Sequence, residues 1–334
     1  MVSVPGNPFG VATTSNGQWS FVSLDSSVAV FSDHGTVPTL IRQITVPGAP
    51  AGETFTHDGR YLLVATGSGA VVIDVAKAEH GASGAVIGML SSPGGDGAIE
   101  VVVSPDDDFA FVTLEYSDAM AVFNLRDALT HGFGTSDVVG TVPLEQAAVG
   151  MAVAPDGQWI YATSEQTRGS REGTVSVIGL DRAETDPAHA VASTVMAGCS
   201  PVRVITSSDG SVVWVTARGS DELLAFAATR LVTNPAHALL VEVRVGEAPV
   251  GLALIDNGHE MAVADSNRFS TPGHPATIAL VDTHAALAGA HALLGVIPAG
   301  LFPREMAVSP DGRTLLVTNY SSQQVEVVSL THLP

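Results

Sequence analysis

Cross-linking chemistry is almost absent from this chain. One cysteine, Cys199, stands among 334 residues, which excludes an intrachain disulfide and a Cys-x-x-Cys motif and leaves the redox compartment open. Lysine is as scarce: Lys77 is the only one among 14 basic residues, and 34 acidic residues set the formal net charge at −20. A field of that sign repels nucleic acid and anionic lipid, so neither is expected as a partner. No apolar run approaches the roughly 18 residues of a membrane span. The opening MVSVPGNPFG has neither a basic n-region nor an apolar h-region, so the chain as it stands reads as soluble and cytoplasmic, with an exported mature form as the alternative. A serine elbow, a phosphate loop and a dinucleotide fingerprint are missing as well.

What the chain does have is apolar material, 46% against 14% charged, which supports a packed core and excludes general disorder. It also has a phrase that returns seven times: small or apolar residues, a two-residue turn, then an apolar strand. The turns are Asn16-Gly17, Asp58-Gly59, Asp106-Asp107, Asp156-Gly157, Asp209-Gly210, Asn257-Gly258 and Asp311-Gly312. Five residues after each turn's first member stands Phe21, Leu63, Phe111, Tyr161, Trp214, Ala262 or Leu316. A repeat of this period built from short strands means a β-propeller. The length alone suggests two domains, but a ring that grows by adding blades is one.

Each unit parses into four strands. In the last, 306–309, 314–318 and 324–330 are the inner, second and third strands, and no outer strand follows before Pro334. The segment MVSVPGNPFGVA aligns with EVRVGEAPVGLA at 242–253, where an outer strand runs into the next inner one. Residues 1–4 are therefore expected to complete the last blade and close the ring, removing an open edge. The fold read from this is all-β: a single seven-bladed β-propeller over 1–334, four antiparallel strands per blade. Its blades lie at about 5–48, 49–95, 96–146, 147–199, 200–247, 248–300 and 301–334 plus 1–4.

The segment SPDGRTLLVTNYSSQQVEVVSL, 309–330, resembles the YVTN-repeat propellers of the lactonase-like group, and the other six units are looser copies, so the resemblance spans the chain. It implies the seven-bladed fold. For activity it implies a choice, because relatives include lactone-forming or lactone-opening enzymes, quinone-linked proteins and surface proteins without known catalysis.

The irregular loops mark the functional face. Two loops between second and third strands are much longer than their equivalents, 164–173 and 266–276, and are expected to wall the mouth of the central channel. On the opposite face the insertions 127–136, 181–190, 228–238 and 282–292 share Ala-rich wording and a recurrent His, at 131, 189, 237 and 291. Recurrence at equivalent positions of different blades points to turn or cap chemistry and not to one metal site.

Six residues before each turn stand Gly10, Gly52, Glu100, Gly150, Arg203, Gly251 and Glu305; nine residues after it stand Asp25, Gly67, Glu115, Glu165, Arg218, Ser266 and Tyr320. The hairpin geometry predicts that these two positions lie within a residue or two of each other. Blade three then offers Glu100 with Glu115, blade five Arg203 with Arg218, and blade seven Glu305 with Tyr320 and Arg304. Gly150 would leave space between the acidic and basic pairs, and Glu53 adds a carboxylate in blade two. An inward charge in a glycine position is costly unless paired or functional.

The functional reading gives Arg203 and Arg218 a carboxylate or developing oxyanion to hold and makes Glu100 or Glu115 the proton-transfer group. Glu53, Glu165, His274, Arg304, Glu305 and Tyr320 complete the ligand site. Resemblance to lactone-processing propellers implies the same residue types on the channel face. The plainer reading makes Glu100, Arg203 and Glu305 ion pairs that close a water-filled channel. No cofactor is expected. Calcium is the metal that resemblance to gluconolactonase-like propellers would add, with Glu53, Glu100 and Glu305 as partial ligands. Cys199, four residues before Arg203, reads as a small buried hydrophobe or, near two guanidiniums, as a reactive thiol.

Two functions follow. One is a monomeric protein binding a polar, anionic small molecule at the channel mouth, hydrolysing or forming a lactone or ester, or acting as a lyase. The other is a non-catalytic scaffold that grips a protein or polymer with its long loops. Those loops are polar, with Phe269 their one aromatic residue, and protein interfaces are enriched in aromatic anchors, which favours the small molecule.

Overall fold

The recurrent turn is held by its own side chains. Asp311 Oδ1 accepts from the Ser309 hydroxyl at 2.6 Å and the Arg313 amide at 3.1 Å, while Gly312 takes φ 70°, a left-handed conformation that costs glycine nothing sterically. Asp58 and Asp209 make the same cradle. Blade three has Asp107 in the glycine place at φ 59°. Its carboxylate accepts from the His57 amide at 3.0 Å, so a bond to the neighbouring blade offsets the backbone cost.

A computed structural model describes residues 1–35 and 37–333. They form seven four-stranded antiparallel sheets, each from strands consecutive in sequence except the last. In that sheet Val2–Ser3 pairs with Gln324–Ser329, Val2 opposite Val325 and Ser3 opposite Gln324. The ring is closed as the alignment of its two ends implies. Second and third strands are buried almost throughout, whereas outer strands such as Thr39–Thr45 alternate between half-buried and exposed, because only one face of an outer strand meets another sheet.

One hydroxyl per blade ties most neighbouring blades together. Thr113, Thr163, Thr216 and Thr318, seven residues after the turn, donate to the carbonyls of Val149, Val202, Val250 and Phe9 in the next blade at 2.8 to 2.9 Å. Each also accepts the amide of its own inner strand, from Glu100, Gly150, Arg203 or Glu305. Ser23 makes the same pair of bonds, while Ala65 and Ala264 occupy the place without a hydroxyl. The threonine of the VTN phrase is thus an interblade strut.

Between third and outer strands, blades two to six carry short helices: Val75–His80, Leu125–His131, Leu180–Thr185, Ala228–Thr233 and Thr283–Leu287. They cap the ends of the blades with buried pairs such as Leu125 and Ala128. The recurrent histidines are local: His131 bonds Asp127, His189 bonds Asp186 and His237 bonds Asn234. Among the described residues no helix is long and apolar enough to cross a membrane.

Candidate functional site

The two marked positions of blades three, five and seven stand two residues apart along the second strand, as the hairpin pattern implies. Inner strands carry a one-residue register shift, between Ala98 and Val101 in blade three and at the same place in blades four to seven. The extra residue of a bulge moves the partner along the strand. Glu115 therefore bonds the carbonyl of Gly97, Arg218 that of Ser200 and Tyr320 that of Phe302, three residues before Glu100, Arg203 and Glu305. On the regular partner strand Glu115, Arg218 and Tyr320 stand two residues beyond Thr113, Thr216 and Thr318, which accept the amides of Glu100, Arg203 and Glu305, so at about 3.3 Å per residue the two layers lie ~7 Å apart along the channel. The pairings of Glu100 with Glu115, Arg203 with Arg218 and Glu305 with Tyr320 are not formed; the charges pair across blades within each layer.

The deeper layer is organised by Arg203. Its side chain is 7% exposed and lies 3.5 Å from Glu100, and its Nε donates to Glu305 Oε1. Burial pushes the Glu100 pKa up to about 8, the Arg203 charge opposing and Glu305 reinforcing the shift. Glu53 is raised to about 8 as well, first by burial, with the Ala12 amide acting against it and Glu100 with it. Neither Glu53 oxygen has a partner of hydrogen-bonding geometry. Gly150 leaves no open space in this layer: a Cβ there would stand 2.3 Å from the Val202 carbonyl oxygen, so the glycine admits the next blade's backbone. Gly52 likewise yields its place to the Glu100 carboxylate, 2.5 Å from a Cβ built there.

The outer layer lines a cavity of about 200 Å³ whose wall includes Glu115, Glu165, Arg203, Arg218, Arg268 and Arg304. Arg218 Nη2 meets Glu165 Oε2 at 2.6 Å. Among the described residues Arg268 and Arg304 have no carboxylate within ion-pair distance, and the buried Arg304 Nε has no hydrogen-bond partner. Burial, then the nearby Arg203, push the Arg304 pKa down to about 9. Arg268 is lowered by burial and by Arg218. Glu115 is raised by burial and Glu165, against the pull of Arg304, Arg218 and Arg268. Unneutralised guanidiniums beside a carboxyl of raised proton affinity can bind an anion and exchange a proton with it.

Aromatic rings hold these cations in place. Arg304 lies 3.5 Å from the Phe9 centroid and within 5.4 and 5.6 Å of those of Phe302 and Tyr320. Arg268 sits between Phe269 and Phe302, and Arg218 stands 5.9 Å from Phe269. Such contacts strengthen when the cation is desolvated. Phe302 takes φ 57° where the equivalent residues Gly97, Ala147, Ser200 and Ala248 take similar angles. A bulky residue in this conformation is an outlier and carries a backbone cost of ~1–2 kcal/mol. Its ring is thereby turned into the mouth against Arg268 and Arg304.

Of the residues singled out in the sequence, Glu115, Glu165, Arg203, Arg218 and Arg304 meet at this cavity, and Tyr320 lines an adjoining one. Glu53, Glu100 and Glu305 belong to the deeper layer. His274 is outside both, 55% exposed in its loop and 3.3 Å from Glu247, because the loop folds back on itself through Asn267. Cys199 ends an outer strand and does not line the cavity. Arg268, Phe302 and Phe9 escaped the sequence reading. One signal was available: the residues just before the inner glycine position are Phe9, Ala51, Ile99, Val149, Val202, Val250 and Arg304, an apolar ring that Arg304 breaks. Among the described residues no group of three or more His, Cys, Asp or Glu is placed to hold a metal ion, and Glu53, Glu100 and Glu305 do not converge as a calcium cage.

No family model matches the sequence, and no curated protein matches it. The structure is similar to hydrazine synthase of Kuenenia stuttgartiensis, with a TM-score of 0.78 over 98% of this chain and 96% of that one at 18% sequence identity. At that identity the likeness is one of fold. What stands is a seven-bladed propeller with a cavity at its central channel; the tie to YVTN-repeat or lactonase-like proteins rests on the wording of the repeats alone.

Proposed function

We propose that the protein binds a small organic anion, with its carboxylate among Arg218, Arg268 and Arg304 at the channel mouth. One observation carries this reading: two guanidiniums without a carboxylate partner, Arg268 and Arg304, face one cavity beside a third that is only singly paired. Burying the unbalanced Arg304 is costly, and an anionic ligand offsets that cost. Arg203 belongs to the support beneath, since it is already paired with Glu305. Phe269 contributes to the same site, because its ring lies near Arg218 and Arg268.

The chemistry proposed for the site is of lactonase type. Water adds to the acyl carbon of a lactone and the ring C–O bond breaks; Glu115 gives its proton to the leaving ring oxygen and is reprotonated by one proton of the water, while the other is released to solvent, giving a hydroxy acid whose carboxylate the arginines hold. Thermal shift against a panel of lactones, hydroxy acids and dicarboxylates tests binding, because a ligand that binds only the folded state raises the melting temperature. Arg268→Ala is expected to abolish a specific shift without lowering the unliganded melting temperature by more than a degree or two. Shifts that persist unchanged in Arg268→Ala and Arg218→Ala would remove this assignment, and lactones that bind but are turned over equally by Glu115→Gln would remove the catalytic part.

A further inference from the structure

A second cavity of about 440 Å³ adjoins the arginine-rich one, and Ile99, Glu115 and Tyr116 form a wall common to both. The two lobes have opposite character. No Arg, Lys or His lines the larger lobe, which instead presents Asp25, Asp96 and Glu115 together with Phe9, Tyr116 and Tyr320. None of the three carboxylates has a basic partner within ion-pair distance among the described residues. Asp25 accepts only from Asn7, through the amide and side chain at 3.1 Å each, and Asp96 from the Gly97 amide at 2.8 Å. Both residues are exposed at the rim of this lobe. Tyr116 stands 73% exposed on the shared wall, with the Gly97 backbone against its ring.

From this juxtaposition we infer that the ligand is a zwitterion. Its carboxylate enters the lobe of Arg218, Arg268 and Arg304, and an ammonium group at its other end lies in the lobe of Asp25, Asp96 and Tyr116. Carboxylates and aromatic faces together are the usual surroundings of a bound ammonium. The unpartnered, buried Arg304 Nε fixes the anionic end independently. Long-range electrostatics agree: a simple anion approaches against a net charge of −20, whereas a molecule with no net charge meets no such barrier and gains from both lobes. An ω-amino acid or a short peptide has this chemistry. The inference rests on the anion-binding reading and adds the second half of the ligand.

The experiment is calorimetric titration with the ω-amino acids from 4-aminobutyrate to 6-aminohexanoate and with glycylglycine, each matched to its N-acetyl derivative. At least one free amine is expected to bind tenfold or more tightly than its acetylated partner. Asp96→Asn and Asp25→Asn are expected to bring that ratio towards one while leaving the affinity of the acetylated compound unchanged. Acetylated and free forms that bind equally, both weakened by Arg268→Ala, would overturn the zwitterion and leave the anion site standing. If no compound of either series binds, both fall. A chain-length optimum within the series supports the inference by reporting the separation of the two lobes.

Discussion

Replacing Arg203 by methionine should expose how the deeper layer is balanced. The side chain is 7% exposed and lies between Glu100 and Glu305, themselves 15% and 17% exposed. Burial raises the Glu100 pKa to about 8, and loss of the guanidinium, which opposes that shift, raises it further. The charge left stranded is the Glu305 carboxylate. Removing one partner of a buried pair costs about 3–5 kcal/mol. For a chain of 334 residues the entropy of unfolding is about 0.7 kcal/mol per kelvin, so Arg203→Met should lower the melting temperature by about 4–7 °C. Glu305→Gln alone should be milder. With the repulsion from Glu305 gone, Glu100 ionises more readily and takes over the pairing. The double variant Arg203→Met with Glu305→Gln, neutral throughout, should recover at least half of the single-variant loss. Urea and thermal unfolding followed by circular dichroism would read all three. A cost below about 1 kcal/mol for Arg203→Met, or a double variant no more stable than the single one, would refute the claim that Arg203 neutralises Glu305.

Further outcomes follow from the same geometry. Glu53 keeps its proton in the fold up to about pH 8 against an unperturbed value of 4.5; the unfolded chain ionises first, so the stability Glu53 contributes falls as pH rises between these values. Glu53→Gln should therefore flatten the decline of the melting temperature between pH 5 and pH 8 and be more stable than the parent at pH 8; an unchanged pH profile would contradict the assignment. Thr216→Val removes the strut to Val250 and the acceptor for the Arg203 amide, and should cost about 1–3 kcal/mol in urea unfolding, whereas a change under half that would make the strut incidental. Gly312→Ala meets no atom within 4 Å of the new Cβ, so its cost isolates the φ of 70° and should be about 1 kcal/mol. Deleting residues 1–4 strips the outer strand from Gln324–Ser329, and should lower the melting temperature and produce concentration-dependent association through the exposed edge, which light scattering would detect.

The sequence determined what local pattern and repetition can carry. Seven Asx-Gly-type turns set the hairpins, the wording shared between 1–12 and 242–253 closed the ring, and the four glycines and three charges at one repeat position marked the channel, because a repeat places equivalent residues at equivalent heights whatever lies between them. Glu115, Glu165, Arg203, Arg218 and Arg304 were legible for that reason. What only the tertiary structure decided was who meets whom. A one-residue shift in the inner strands of blades three to seven leaves no mark in composition, and no local pattern says that Arg203 meets Glu100 and Glu305 of other blades. Arg268 and His274 share one loop, and only its folding puts the first at the cavity and the second against Glu247. Phe302 read as one apolar residue among many; its left-handed backbone, set by the blade around it, turned its ring into the site. Side-chain direction and long-range pairing depend on the closed ring, in which residues a hundred positions apart become neighbours across the axis.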